Sequence, residues 1–165
     1  MPQRIRAFIG FGANLGDPFA TLPHVLEMLA NLPETQLAAR SSYYRSAPLG
    51  VSDPQPDYIN AVIALDTGLS PQALLDALLR LESACGRCRA AALAPRPLDL
   101  DLLLYSETVM QTPTLTLPHP RLHQRAFVLL PLAEIAPTLS IPGFGPLSAL
   151  LEKVKGQRIE RVQGI

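Results

Sequence analysis

Two carboxylates one residue apart, Asp99 and Asp101, stand inside the apolar stretch "PRPLDLDLLLY", just behind Arg96. In an extended chain residues two apart point the same way, roughly 6.6 Å along the strand, so both acids share one face. Leu98, Leu100 and Leu102 take the other face, and the following Leu103 and Leu104 predict a strand that becomes buried on both sides. A bare pair of carboxylates at that spacing repels itself. One remedy is structural: ion pairs or a solvated edge. The other is a pair of divalent cations, which carboxylates on one face can hold about 4 Å apart and which clamp phosphate oxygens. The stretch by itself leaves both open.

The surrounding charge bears on that choice. Formal net charge is zero, so general attraction to nucleic acid or to an anionic membrane is not expected, and any polyanion site must be local. Arg87, Arg89, Arg96, Arg121 and Arg125 crowd between residues 86 and 125, a span whose acids are Asp99, Asp101 and Glu107. That is a candidate phosphate patch beside a candidate metal pair. The lysines, Lys153 and Lys155, both lie near the C-terminus, which removes a Walker A loop and an early-strand kinase lysine. "GFGANLG" is one residue too long for the dinucleotide fingerprint, and its glycines read as turn and packing residues. "CGRC", Cys85 to Cys88, lacks further zinc ligands and closes a helix where a redox pair opens one, so both are read as free thiols. His123 is read as a surface residue and His24 as a helix-face residue.

These groups need a scaffold. A chain of 165 residues with 48% hydrophobic content fits one domain over residues 1–165. "RIRAFIGFG" reads as a strand, and "DPFATLPHVLEMLANL" as a helix with Asp17 as cap and Pro18 at its first position. "TQLAARSSYYRSA" reads as one strand, "PLGVSDPQPD" as a loop and "YINAVIALDT" as a strand. "SPQALLDALLRLESACG" is a helix opened by Ser70 and Pro71 and closed by Gly86, followed by the acid-bearing strand. The order βαββαβ favours an α/β sandwich with helices packed on one face of a mainly antiparallel sheet. "RAFVLLPLAEI" and "GPLSALLEKV" add a C-terminal helical extension. No apolar run is long enough for a membrane span and no cleavable leader is evident, so a soluble cytoplasmic protein is expected.

Several segments together resemble one family, the 6-hydroxymethyl-7,8-dihydropterin pyrophosphokinases of folate synthesis. They are "GANLGD", "SSYYRSAPLG", "QPDYINAVIALDT", "LESACGR", "PRPLDLDLLLY" and "LTLPHPRLHQRAFVLLPLAEIAP", in that order from Gly12 to Pro137. The resemblance implies a ferredoxin-like βαββαβ sandwich. It implies transfer of diphosphate from ATP to the pterin hydroxymethyl group, leaving AMP. On that likeness Asp99 and Asp101 hold two Mg²⁺ ions and are catalytic together with Arg87 and Arg96. Arg87, Arg96, His119 and Arg125 match positions that line the triphosphate, and Glu82 matches one that supports the nucleotide site. Tyr58 and Phe127 match a stacking pair for the pterin, Asn60 offers its amide edge, and Ser46 and Leu49 match backbone and apolar contacts. No general base is evident, and the metals suffice to activate the hydroxyl. ATP and the pterin are the expected partners, with no nucleic acid and no membrane, and a monomer is expected.

The chain departs from the family pattern in "RCRAAALAPRPLDLD", where alanines replace a basic residue and a ring and Pro97 replaces a threonine. Thr114 stands where some members carry a phosphate-reaching arginine. Cys88 to Ala94 keeps one charge, Arg89, and that segment is expected to close over the nucleotide as Arg87, Arg89 and Arg96 meet phosphate. Two other readings stay open: a non-catalytic pterin- or nucleotide-binding homologue, and a two-metal nucleotidyltransferase acting on another alcohol.

Overall fold

The central strand β1 (Ile5–Ala13) alternates in a way that already divides the molecule. Ala7, Ile9, Phe11 and Ala13 enter one core, while Phe8 enters a second and is followed on its own face by Gly10 and Gly12. In this computed structural model, which describes residues 4–13, 18–46, 57–86 and 98–162, β1 pairs antiparallel with β4 (Tyr58–Thr67) and with β5 (Asp99–Tyr105). Helices α1 (Pro18–Ala30) and α2 (Pro71–Gly86) cover the first face. They bury Leu22, Val25 and Leu29, and Leu74 and Leu78, at the helical spacings that make an apolar stripe. Each such fully buried leucine stabilises by about 1.5–3 kcal/mol. Ser70 caps α2 as its sequence predicts: its Oγ accepts the Ala73 N–H at 3.1 Å. Asp17 lies outside the described residues.

The expected second strand is two strands. β2 (Thr35–Arg40) and β3 (Tyr44–Ser46) both pair with β4, on opposite sides of a break at residues 41–43. Ser41 causes the break chemically. Its N–H donates to the Val62 carbonyl and its hydroxyl accepts the Val62 N–H, each at 2.9 Å, so the side chain replaces its own carbonyl in the ladder and the chain turns away.

The acid-bearing strand departs from simple alternation as well. Ile9 opposes Leu102 and Phe8 opposes Leu104, which leaves Leu103 as the extra residue of a β-bulge. Leu103 and Leu104 therefore both enter the second core, whereas Leu98, Leu100 and Leu102 enter the first. The Leu103 carbonyl, freed by the bulge, accepts the His119 N–H at 2.9 Å.

The main sheet runs β10-β3-β4-β1-β5, with β2 also on β4; β10 is Ile159–Arg161. Between β5 and β10 come a hairpin of β6 (Met110–Gln111) and β7 (Thr116–Leu117), helix α3 (Ala126–Ile135), a hairpin of β8 (Ser140–Ile141) and β9 (Gly145–Pro146), and helix α4 (Leu147–Lys153). The extension covers the second sheet face: Leu129 and Leu132 of α3 and Leu147 and Leu150 of α4 pack with Phe8, Val62, Ala64, Leu103 and Leu104. The expected βαββαβ order is present, but the expectation of helices on one face is corrected: α1 and α2 cover the first face and the apolar residues of α3 and α4 cover the second. No helix among the described residues is long and apolar enough to cross a membrane.

Candidate active site

The second core stops short of one end of the sheet. On the face where Phe8 fills the middle, the next inward positions of β1 are Gly10 and Gly12, which pair with Asp101 and Asp99 on one side. On the other side Gly12 pairs with Asn60. A Cβ on Gly12 would lie 3.4 Å from Asn60 Oδ1, and one on Gly10 would lie 3.3 Å from Leu103 Cδ2. The two glycines thus make a floor with an amide along one edge and the acid pair along the other.

Over that floor lies a cavity of about 600 Å³, roofed by Arg125, Phe127 and Val128 from the start of α3 and edged by Ser46 and Tyr58. Asn60 is buried, and its Nδ2 donates to Ser46 Oγ at 2.8 Å. Tyr58 and Phe127 are half-buried on the cavity wall. The Arg125 guanidinium lies 5.4 Å from the Phe127 ring centroid.

A second cavity, of about 380 Å³, opens on the other side of β5, between α2 and the β6–β7 hairpin. Leu75, Leu79 and Glu82 form one wall, Thr112, Thr114 and His119 the other, and Asp99 and Asp101 line both cavities. Leu79 is half exposed there, an apolar surface open to a ligand. Glu82 Oε2 accepts the Leu100 N–H at 2.7 Å, which fixes the backbone between the two acids. Thr114 Oγ1 donates to Gln72 Oε1 at 2.9 Å, which ties the β6–β7 hairpin to α2.

His119 is held at both ends, by the bulge carbonyl behind it and by the Arg121 N–H, which donates to its Nδ1 at 3.2 Å. Burial pushes the imidazole below its ordinary value; Asp101 pulls it up, and Arg125 and Arg121 push it down. A neutral ring accepting at Nδ1 carries its proton on Nε2, free to donate to a ligand.

Of the site residues expected from sequence, Ser46, Tyr58, Asn60, Asp99, Asp101, Arg125 and Phe127 line the first cavity, and Glu82 and His119 line the second with the acid pair. Leu49, Arg87, Arg89 and Arg96 lie outside the described residues, as do Cys88 and the alanine-rich segment that follows it. His24 lies on α1, where a helix-face residue was expected, and is exposed. His123 corrects its reading as a surface residue: its ring stacks on Phe144 at 4.2 Å, and its Nδ1 is buried without a hydrogen-bond partner among the described residues. Gly10 and Gly12 also need correction, because they lie inside a strand as cavity floor and not in a turn. Arg121 and Gln124 line the first cavity and were not among the expected ligands. Arg121 belonged to the basic cluster, and the glycines at i and i+2 on one strand face were a legible signal.

Among the described residues no cluster of three or more His, Cys, Asp or Glu side chains is placed to hold a metal. The acid pair nevertheless fits Mg²⁺, which is usually held by one or two carboxylates, with substrate phosphate oxygens and water completing its octahedron.

Fold and site define an α+β sandwich of the ferredoxin-like class in which two cavities share a carboxylate pair. The family model described as 7,8-dihydro-6-hydroxymethylpterin-pyrophosphokinase (HPPK) matches residues 8–137, and the chain belongs to that family. It is 44% identical over 159 residues to the 2-amino-4-hydroxy-6-hydroxymethyldihydropteridine pyrophosphokinase of Pseudomonas aeruginosa, covering 96% of this chain and 98% of that protein. The enzyme of the same name from Haemophilus influenzae is 44% identical over 149 residues, covering 90% and 92%. Among solved structures, Plasmodium falciparum HPPK-DHPS with SDX-DHP superposes with a TM-score of 0.76 at 12% identity. That match covers 98% of this chain and 49% of the other, so the chain spans about half the length of that structure, and the likeness shows the fold alone.

Proposed function

We propose that the two cavities hold the two substrates of a pyrophosphokinase and that Asp99 and Asp101 stand where they react. The chain transfers the diphosphate of ATP to the hydroxymethyl group of 6-hydroxymethyl-7,8-dihydropterin. The hydroxymethyl oxygen bonds to the β-phosphorus, the bond from that phosphorus to the α–β bridging oxygen breaks, AMP leaves, and the hydroxyl proton is released. The observation that carries this assignment is that Asp99 and Asp101 line both cavities, so ligands in the two would meet at the acid pair.

The floored cavity suits the pterin. Tyr58 and Phe127 offer ring faces, Asn60 offers amide donor and acceptor atoms with Ser46 holding it in place, and Leu49 is assigned an apolar contact. The second cavity suits ATP, with Leu75 and Leu79 as a wall for the purine and Glu82 as the brace behind the acids. His119 and Arg125 are assigned to the triphosphate with Arg87, Arg89 and Arg96, whose charges offset those developing on phosphate oxygens. Asp99 and Asp101 would hold two Mg²⁺ ions, which when bound supply charge neutralisation and in-line positioning of the phosphate. We further assign residues 1–165 to one domain acting as a cytoplasmic monomer.

Incubating the protein with ATP, Mg²⁺ and the reduced pterin tests the reading. AMP and the pterin diphosphate are expected. ADP would mean an ordinary kinase, pyrophosphate a nucleotidyl transfer, and no product a binding module.

A further inference from the structure

Helix α3 carries Phe127 at the cavity and Glu134 near its other end, seven residues on. Seven residues advance about 10.5 Å and return to within about 20° of the same direction, so both lie on one stripe of the helix. Leu129 and Leu132 press α3 onto the sheet through apolar contact, which is non-directional and does not fix where along the sheet the helix rests. Directional bonds fix that. At the N-terminal end Gln157 Oε1 accepts the Ala126 N–H at 2.9 Å, and its Nε2 donates to the Gln124 carbonyl at 2.7 Å.

Glu134 does the same at the far end, and it does so at the break between β2 and β3. Its two oxygens accept the Ser42 N–H at 3.0 and 2.9 Å. Oε2 also accepts the Ser42 hydroxyl at 2.9 Å, and Oε1 accepts the Tyr44 hydroxyl at 2.8 Å. Arg161 of β10 brings Nη2 to 3.6 Å from Oε2. Tyr44 then connects inward: it is the register partner of Asn60, and its carbonyl accepts Asn60 Nδ2 at 3.5 Å, while Ser46, two residues on, accepts the same amide at 2.8 Å. The carboxylate therefore joins the helix that presents Phe127 to the strand that orients Asn60.

We propose that Glu134 is a positioning residue for the pterin cavity, setting the gap between Phe127 and the Ser46–Asn60 edge through its clamp on Ser42 and Tyr44. A stacked ring and a buried amide edge both tolerate little displacement, so releasing the clamp loosens the grip on the pterin; the nucleotide cavity is lined by α2, β5 and the β6–β7 hairpin, and Arg125 stays held by the Gln157 bonds to Gln124 and Ala126 on either side of it. The inference rests on the assignment of the pterin to the floored cavity.

Glu134→Gln, Tyr44→Phe and Asn60→Ala are the variants to compare with the wild-type chain. Affinity for 6-hydroxymethyl-7,8-dihydropterin is titrated without nucleotide, and KM for ATP and the melting temperature are measured on the same preparations. Glu134→Gln and Tyr44→Phe should each weaken pterin binding about fivefold to tenfold with KM for ATP changed less than about twofold. The double variant should be no weaker than Glu134→Gln alone, because both changes break one connection. Tyr44→Phe removes only a hydroxyl and keeps the test available if the charge change disturbs folding. Unchanged pterin affinity in both, with Asn60→Ala weakened, overturns the role of Glu134 and leaves the cavity assignment standing. Unchanged affinity in Asn60→Ala as well overturns the cavity assignment itself. Parallel losses for both substrates, following a lowered melting temperature, would make Glu134 a stabilising residue only and overturn the proposal.

Discussion

One face of one sheet is put to two uses, and the boundary between them is a single step along β1. At Phe8 the face is closed: the ring meets Ala64, Leu104 and the residues of α3 and α4 in a sealed core. Two and four residues on, at Gly10 and Gly12, the same face is open, flanked by Val62 and Asn60 on one side and by Asp101 and Asp99 on the other. Backbone geometry is shared by both ends; side-chain volume on the central strand decides which becomes core and which becomes a site. The open end can carry charge because its acids stay partly exposed beside the cavity, and the closed end holds its walls in register.

Phe8→Ala attacks the closed end and should have the largest effect, a loss of about 3–5 kcal/mol of stability from the cavity left under α3, read by denaturant unfolding. Asp101→Asn attacks the open end and should lower AMP formation about a hundredfold or more with pterin binding largely spared. Steady-state rates and a pterin titration on one preparation check this, and undiminished AMP formation would remove Asp101 from the reaction. Gly12→Val sharpens the boundary: the added methyls enter the floor beside Asn60 Oδ1, so pterin affinity should fall about tenfold or more while the melting temperature stays near wild type. A melting temperature that falls with affinity would mean that the floor is part of the core after all.

The smallest effect expected is a pH dependence at the far end of α3. Burial pushes Glu134 up, but the hydrogen bonds from Tyr44 and Ser42 and the charge of Arg161 outweigh it and hold the carboxyl below its ordinary value. Burial and the bond to Glu134 push the Tyr44 hydroxyl up to about 12, so it stays a donor across the working range. A lowered carboxyl stabilises the fold above its unfolded value and stops doing so as pH drops through the lowered one. The stability difference between wild type and Glu134→Gln should therefore be constant near neutrality and shrink in acid. A difference that grows on acidification would contradict the clamp.

The sequence carried the chemistry of the site further than its shape. Asp99 and Asp101 were legible because a two-residue period has only one geometric outcome in a strand. Tyr58 and Asn60 were reached through the family resemblance, and the Ser70 cap of α2 through a residue type that satisfies a free N–H group. The break at Ser41 and the bulge at Leu103 were not legible, because each depends on a partner strand: one on Val62, the other on Phe8 and Ile9. Glu134 was hidden for the same reason. Its partners Ser42 and Tyr44 are about 90 residues away, and no local pattern records a pairing of that length.

If the two cavities hold the two substrates, the substrates meet at the acid pair that both share. A crystal structure with Mg²⁺, a non-hydrolysable ATP analogue and 6-hydroxymethyl-7,8-dihydropterin would show that meeting. The pterin ring should lie between Tyr58 and Phe127 with its hydroxymethyl oxygen facing the β-phosphorus, and the metals between that phosphate and the Asp99 and Asp101 carboxylates. A pterin seated elsewhere, or a triphosphate whose metals avoid both aspartates, would contradict it.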